Sequence, residues 1–449
     1  MSNIYDFTRS YSLVRRYVLF TFKRFYGEYI VNGRENIPEK GPVIFASNHL
    51  NALMDALAVI STLPHKVPIV YLARADYFKN KKIAKILRFF KILPAFRMRD
   101  GVGNLEKNHG IFEECVDVLD HNNALGIMPE GVQSGLRKLR PLVKGIFRIA
   151  FTAQQKYDTQ PGVKIVPIGI DYEDFEKYGK HIIINIGKPI EVSDYMAEYN
   201  VNPVNATNQI RDRLRDDLIG LSLHLDTEKH YACFETATKV ANAAIVNEYK
   251  LPDKSLSRFF ARQKIAERLI TLENKKHEIT ERLDSLCTEY KENMKKLNLH
   301  SWVLEKKTYK IKPLLLTGLL LLVTLPVFVI GFILNMFPFF LPDAIRKLFK
   351  IKFPGGVSSV RFGLGMISFT IFYLFQGIMI YKRFNGGLWN LIIIIPLQYI
   401  FGKLSFLWYK SYKKLLAKVR YRKLQHQNSQ ILVETRFLQE QIIQIVQAS

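Results

Sequence analysis

Thirty consecutive positions, Pro313–Pro342, carry no charged side chain, and runs of twenty (Phe362–Tyr381) and nineteen (Phe384–Gly402) follow. Each is long enough to cross a hydrocarbon core of about 30 Å as a helix, whereas a buried soluble helix is usually shorter. A transmembrane region over 312–410 is therefore expected. Pro326, Gly331 and Pro396 are tolerable inside it because neighbouring helices can satisfy freed backbone groups.

The chain holds 65 basic against 40 acidic residues, a formal excess of +25. Such an excess suits nucleic acid or an anionic membrane surface. Location decides between them: Arg15-Arg16, Lys23-Arg24, Lys306-Lys307, Lys413-Lys414 and Arg420-Tyr421-Arg422-Lys423 adjoin apolar segments, as in a membrane protein. No zinc spacing, RNA-binding signature or basic-aromatic groove accompanies them, so nucleic acid is not expected as a partner. Arg346, Lys347, Lys350 and Lys352 share a membrane face with the basic tail if the first apolar run is a hairpin broken at Pro326, followed by two true spans. Three simple spans would put both the cluster and the tail on the face opposite the part of the chain that precedes the first apolar run, so positive-inside bias favours the hairpin, which keeps all the large basic clusters on one face.

Cys115, Cys233 and Cys287 are isolated and odd in number, which gives no disulfide framework and no metal site. They read as small apolar residues of a chain facing a reducing compartment. Nothing at the N-terminus resembles a cleavable signal peptide. Tyr5–Tyr26 mixes aromatics with Arg15, Arg16, Lys23 and Arg24 on one half of a helix, so residues 1–28 are expected to form an interfacial amphipathic helix.

Residues 29–230 alternate short apolar runs with amphipathic stretches. Strands are expected at Val43–Ala46, Val67–Ala73, Ile92–Phe96, Leu125–Met128, Lys164–Asp171 and His181–Ile186. Helices are expected near Ala52–Thr62, Lys79–Phe90, Asn104–Asp120, Val143–Tyr157 and Asn205–Leu223. This is an α/β domain with a helix-covered sheet. A helical arm over 231–311, with heptad-like Leu269, Leu272, Ile279, Leu283 and Leu286, precedes the transmembrane region, and a basic, amphipathic tail over 411–449 follows it. His277 and His300 lie in the arm without evident partners and are given no role.

Directly after the apolar run Pro42–Ala46 comes Asn48-His49-Leu50-Asn51-Ala52-Leu53-Met54-Asp55. A neutral imidazole at the mouth of a buried strand, with a carboxylate in reach of its other nitrogen, can take a proton from a substrate hydroxyl. At about 100° per residue His49 and Asp55 cannot share one helix face, so His49 belongs on the preceding loop. Such a pair is common by chance, and three further blocks give it specificity: Ile92-Leu93-Pro94-Ala95-Phe96-Arg97, Met128-Pro129-Glu130-Gly131-Val132-Gln133-Ser134 with Lys144-Gly145 after it, and Ile165-Val166-Pro167-Ile168.

In this order the blocks resemble those of the glycerophospholipid acyltransferase family, over residues 25–225. The resemblance implies an O-acyltransferase in which His49 is the general base and Asp55 holds its tautomer. Asn48, Arg97, Arg99, Glu130, Gly131 and Lys144 then serve the substrates. Arg97, supported by Arg99 or Lys144, would hold a phosphate. Backbone N–H groups near Glu130 and Gly131 would stabilise the oxyanion, and Glu130 would accept from the acceptor's second hydroxyl. The implied acceptor is glycerol-3-phosphate or 1-acylglycerol-3-phosphate (lysophosphatidate). The donor would be acyl-CoA, acyl carrier protein or acyl phosphate, and the setting membrane lipid with the active site facing the cytoplasm. No metal or organic cofactor is implied.

Three departures from the family pattern stand out. Five residues separate His49 from Asp55 where the family has four, and Met54 occupies the usual carboxylate position. Val132-Gln133 replaces Thr-Arg, which removes a guanidinium that Arg137, Arg140 or Lys144 would have to replace. Met128 replaces Phe. The missing Arg at Gln133 motivates an alternative acceptor, another lysolipid or an amino-acid lipid. A non-catalytic lipid-binding scaffold is the alternative from another class, and the retention of His49, Asp55 and Glu130 speaks against it.

Overall fold

The computed structural model describes residues 3–65, 67–95, 107–156, 162–353, 355–384 and 389–449. Two compact units emerge: residues 1–224 with 352–359, and residues 225–351 with 360–449.

The first unit opens with helix α1 (Arg9–Phe25) and strand β1 (Glu28–Asn32), followed by β2 (Val43–Ser47), α2 (Leu53–Thr62), β3 (Ile69–Arg74), α3 (Lys81–Phe89) and β4 (Ile92–Ala95). It continues through α4 (Lys107–Asp120), β5 (Ala124–Ile127), α5 (Gly145–Lys156), β6 (Lys164–Tyr172), β7 (His181–Ile186), β8 (Ile190–Glu191), α6 (Met196–Val201) and α7 (Pro203–Leu221). The sheet order is β1-β7-β6-β2-β5-β3-β4, with β8 beside the start of β6. β6, β2, β5, β3 and β4 are mutually parallel and β7 runs antiparallel to β6. β2 is buried at all five positions, as expected of an inner strand covered on both faces. The six expected strands and five expected helices of this domain are present among the described residues, with ends shifted there by at most a few residues, while the expected ends at Phe96, Asn104 and Tyr157 lie outside the described residues. β1 and the two-residue β8 were not foreseen. Half-exposed Glu-Tyr-Ile-Val-Asn at a sheet edge has neither the continuous apolar run nor the clean alternation that marks a strand.

α1 departs from the expected grouping of Arg15 with Arg16, Lys23 and Arg24 on one half of the helix. Tyr11, Arg15, Leu19 and Phe22 form a buried stripe. Arg15 is 4% exposed and donates to the carbonyl oxygens of Pro64 (3.2 Å), His65 (3.2 Å) and Val67 (2.6 Å), thereby capping the turn between α2 and β3. The opposite face, with Leu13, Tyr17 and Phe20, is exposed.

In the second unit, α8 (Tyr231–Val240), α9 (Asn242–Glu248), α10 (Ser255–Lys275) and α11 (His277–Leu297) form the arm. The heptad-like stretch of the arm forms two helices, α10 and α11, broken at Lys276. Apolar helices α12 (Ile311–Val323), α13 (Leu325–Leu348), α14 (Gly356–Phe384) and α15 (Trp389–His426) follow, then α16 (Gln430–Gln447). Three stretches, Leu325–Leu348, Gly356–Arg383 and Ile392–His426, are long and apolar enough to cross a membrane.

The first apolar run does not fold back as the hairpin reading expects. Its helix is interrupted at Thr324, just ahead of Pro326, but its contacts with α15 progress in one direction. Trp408 Nε1 donates to the Leu321 carbonyl (2.9 Å), Ser405 Oγ to that of Phe328 (3.0 Å), and Asn335 Nδ2 to that of Gln398 (3.3 Å). A hairpin would reverse that order. Asn335 also accepts from Tyr373 (2.5 Å) and Gln398 donates to Gln376 (3.1 Å), so a polar node ties α13, α14 and α15 together.

The Arg15 contacts give a stability prediction. Arg15→Met leaves three carbonyls without their donor and should cost about 1–3 kcal/mol, whereas exposed Arg16→Met should stay within about 0.5 kcal/mol. Thermal unfolding of the two variants in detergent checks this, and equal midpoints would remove Arg15 from the framework.

Candidate active site

β2 ends at Ser47, and the loop 48–52 carries the chain to α2. Asn48 fixes the start of that loop: its Nδ2 donates to the Ile170 carbonyl (3.0 Å) and its Oδ1 accepts the Ile170 N–H (2.8 Å). The amide thus continues the β2–β6 pairing as a side chain. His49 comes next, with 18% of its side chain exposed.

Asp55, in the first turn of α2, is fully buried. Its Oδ2 receives His49 Nδ1 (2.9 Å) and the backbone N–H groups of Leu50 (2.9 Å) and Asn51 (2.6 Å), while Oδ1 receives Tyr172 Oη (2.7 Å). A buried carboxylate surrounded by donors fixes the proton on His49 Nδ1 and leaves Nε2 as the basic nitrogen. The extra residue between His49 and Asp55 is absorbed at Ala52, with φ 46° and ψ −120°, a conformation costly for a residue with a Cβ. Gly355 closes over it. A Cβ on Gly355 would lie 2.9 Å from Ala52 N and Cβ, and its φ of +71° is one that glycine adopts freely. Ser358 Oγ then donates to Asn51 Oδ1 (2.5 Å), whose Nδ2 donates to the Phe175 carbonyl (3.0 Å).

Glu130 lies on the turn after β5, and Gly131, with φ +65°, allows that turn to close. One Glu130 oxygen accepts the His49 N–H (2.7 Å) and the other the Arg140 N–H (2.9 Å), so this carboxyl ties the histidine loop to the 131–140 loop. Burial pushes it up from 4.5 to about 7, against the opposing pull of those two N–H groups.

The Gly131 N–H, foreseen as a donor to an oxyanion, donates instead to the Met128 carbonyl (3.0 Å) within the turn. Arg137, one of three candidates to replace the missing guanidinium, is 3% exposed; its Nε donates to Asp171 Oδ1 (3.2 Å) and its Nη2 to the Tyr172 carbonyl (2.6 Å). Arg140 and Lys144 are exposed. A small pocket is lined by Asn48 and Leu50, the chain neighbours of His49, together with Glu130, Arg137, Lys138, Leu139, Ser222 and Leu223. Arg97 and Arg99 lie outside the described residues. Motif reading missed Tyr172, Asn51, Lys138 and Ser358. A tyrosine four residues past the Ile165–Ile168 block was the one available signal, since it extends the strand whose end faces the histidine loop.

A strand-end imidazole organised by a buried carboxylate is equipment for moving a proton on and off a nucleophilic hydroxyl, as group-transfer enzymes require. Residues 28–171 match the family model described as Acyltransferase. The chain is 33% identical over 107 residues to "Glycerol-3-phosphate O-acyltransferase 1" of Saccharomyces cerevisiae, covering 24% of this chain and 13% of that protein. It is 26% identical over 192 residues to "1-acyl-sn-glycerol-3-phosphate acyltransferase" of Borreliella burgdorferi, covering 41% and 69% respectively. The crystal structure of the 1-acyl-sn-glycerophosphate acyltransferase PlsC from Thermotoga maritima is similar at a TM-score of 0.31 and 18% identity, covering 47% of this chain and 84% of that one. The resemblance read from the motifs is borne out as a similarity to the acyltransferase family model over residues 28–171, about a third of the chain.

Glu130 generates a pH prediction. Between 4.5 and about 7 the folded protein holds a proton that the unfolded chain has released, so stability falls as pH rises through that window. Glu130→Gln, which cannot ionise, should lose this slope. Thermal unfolding in detergent across the window checks it, and parallel curves for the two proteins would contradict it.

Proposed function

We propose that the chain is a membrane-embedded O-acyltransferase. It moves a fatty acyl group from an acyl thioester or acyl phosphate to a hydroxyl of glycerol-3-phosphate or 1-acylglycerol-3-phosphate. The observation that carries this reading is the His49 Nδ1 to Asp55 Oδ2 hydrogen bond of 2.9 Å, which makes Nε2 the nitrogen left to meet a substrate hydroxyl.

In this reaction His49 Nε2 takes the proton of the acceptor hydroxyl as its oxygen bonds to the donor's acyl carbon. Asp55 stabilises the imidazolium that forms. Collapse of the tetrahedral intermediate breaks the carbon–sulfur bond, or the carbon–oxygen bond of an acyl phosphate, and the imidazolium returns its proton to the leaving group. Glu130 holds the histidine loop through its backbone, and Lys138 contributes positive charge to the pocket. Arg97, with Arg99 or Lys144 in support, is assigned to the acceptor phosphate on the strength of the motif resemblance. An active site facing the cytoplasm belongs to this reading on the strength of the motif resemblance and of three isolated cysteines, which suit a reducing compartment.

The burial of Arg137 against Asp171 favours a second reading, an acceptor without phosphate such as another lysolipid, because that guanidinium is already committed to a carboxylate.

The purified protein in detergent, offered glycerol-3-phosphate, lysophosphatidate and neutral lysolipids with each donor class, should give an acylated product resolved by mass. His49→Ala should lower its rate by about 10²–10⁴-fold. Product from neutral lysolipids alone would establish the second reading. Product formation by His49→Ala at the wild-type rate would refute the mechanism.

A further inference from the structure

The segment that opens α14 reaches the histidine loop. Residues 352–359 belong to the first unit, and α14, which starts at Gly356, is one of the helices long and apolar enough to cross a membrane. Gly355 lies against the loop backbone: a Cβ there would come within 2.9 Å of Asn51 C, Ala52 N and Ala52 Cβ. Ser358, further along, is 1% exposed, and its hydroxyl donates to Asn51 Oδ1 (2.5 Å). The Gly355 carbonyl, 3.2 Å from the same hydroxyl, already receives Ser359 Oγ (2.6 Å), so the single Ser358 proton goes to Asn51.

Asn51 is where this contact meets the chemistry. It is fully buried and clamped from two sides, since Nδ2 donates to the Phe175 carbonyl (3.0 Å) and Oδ1 accepts from Ser358. Its backbone N–H donates to Asp55 Oδ2 (2.6 Å), the carboxylate oxygen that also meets His49 Nδ1. The next residue is Ala52, whose positive φ is strained, and such a conformation persists only when its surroundings over-determine it. Asp55 supplies that constraint from inside the loop, and Gly355 and Ser358 supply it from outside. Without the Ser358 hydroxyl, Asn51 Oδ1 would be a buried acceptor lacking its donor, and the loop would gain by turning it toward water.

We propose that Gly355 and Ser358 are positioning residues for His49, which they hold through Asn51 and Asp55, so that the start of a candidate membrane span completes the active site. The inference rests on the proposed roles of His49 and Asp55. The effect runs through the Asn51 N–H and the shared oxygen Oδ2: a loop released at Asn51 withdraws a donor from the oxygen that orients the imidazole. Both residues lie beyond positions 28–171, which the acyltransferase match covers, so the loop is closed by a part of the chain outside that match.

The test compares Ser358→Ala and Gly355→Ala of the full chain in detergent with the parent protein and with Ser368→Ala, which removes a hydroxyl from the same helix where it bonds the Pro338 carbonyl. The Leu50 and Asn51 amides, both bonded to Asp55, are followed by hydrogen exchange and mass spectrometry. Their exchange should be about tenfold faster or more in Ser358→Ala and Gly355→Ala and unchanged in the control, with β2 and β6 exchanging as in the parent. If Gly355→Ala does not fold, Ser358→Ala alone decides. Where the parent transfers acyl groups, kcat of Ser358→Ala should fall about tenfold while KM for each substrate changes by less than about twofold. Unchanged exchange at Leu50 and Asn51 in Ser358→Ala would overturn the proposal. Faster exchange throughout the first unit would overturn it too, as would a raised KM with kcat unchanged, because the one marks a general structural role and the other a substrate contact. The exchange measurement needs no turnover, so its failure is distinct from failure of the acyltransferase reading.

Discussion

The site depends on one buried carboxylate. Asp55 collects four donors from three directions: the ring of His49, two backbone N–H groups of the same loop and the hydroxyl of Tyr172 on β6. Burying a carboxylate without partners is expensive, so the arrangement persists only when every donor is in place. The loop conformation, the histidine tautomer and the docking of α2 against β6 are consequently one linked constraint. The strained Ala52 belongs to it, since a straighter path would carry the Leu50 and Asn51 N–H groups away from the carboxylate.

The end of β6 and the loop after it supply most of what holds this arrangement. Ile170 pairs with Asn48, Asp171 and the Tyr172 carbonyl anchor Arg137, the Tyr172 hydroxyl reaches Asp55, and the Phe175 carbonyl holds Asn51. Successive side chains of a strand point to opposite faces, which lets Tyr172 serve the histidine loop while Asp171 serves the 131–140 loop. Parallel neighbours place the ends of β2, β5 and β6 at the same edge, where open α/β sheets carry their chemistry.

His49, Asp55 and Glu130 were legible in the sequence because each sits beside a short apolar run that only a buried strand explains. Tyr172 and Ser358 were not, since they meet Asp55 and Asn51 across 117 and 307 residues, and no local pattern encodes such a pairing. Arg15 was misread for a related reason. Helical spacing puts it with Arg16 and Lys23, but tertiary carbonyls at Pro64, His65 and Val67 claim it for the interior. The hairpin in the first apolar run followed from loop charges alone, and continuous packing along α15 overrides it. Charge bias constrains which side a loop occupies but not how an apolar segment packs on its neighbours.

The most direct measurement is a double-mutant cycle on the acyl-transfer rate, comparing His49→Ala, Asp55→Ala and the double variant with the parent protein. If Asp55 acts through His49, the two behave as a unit and the double variant is no slower than His49→Ala alone. Losses that multiply would show that the two residues act independently, and would contradict the carboxylate-organised base on which this account rests.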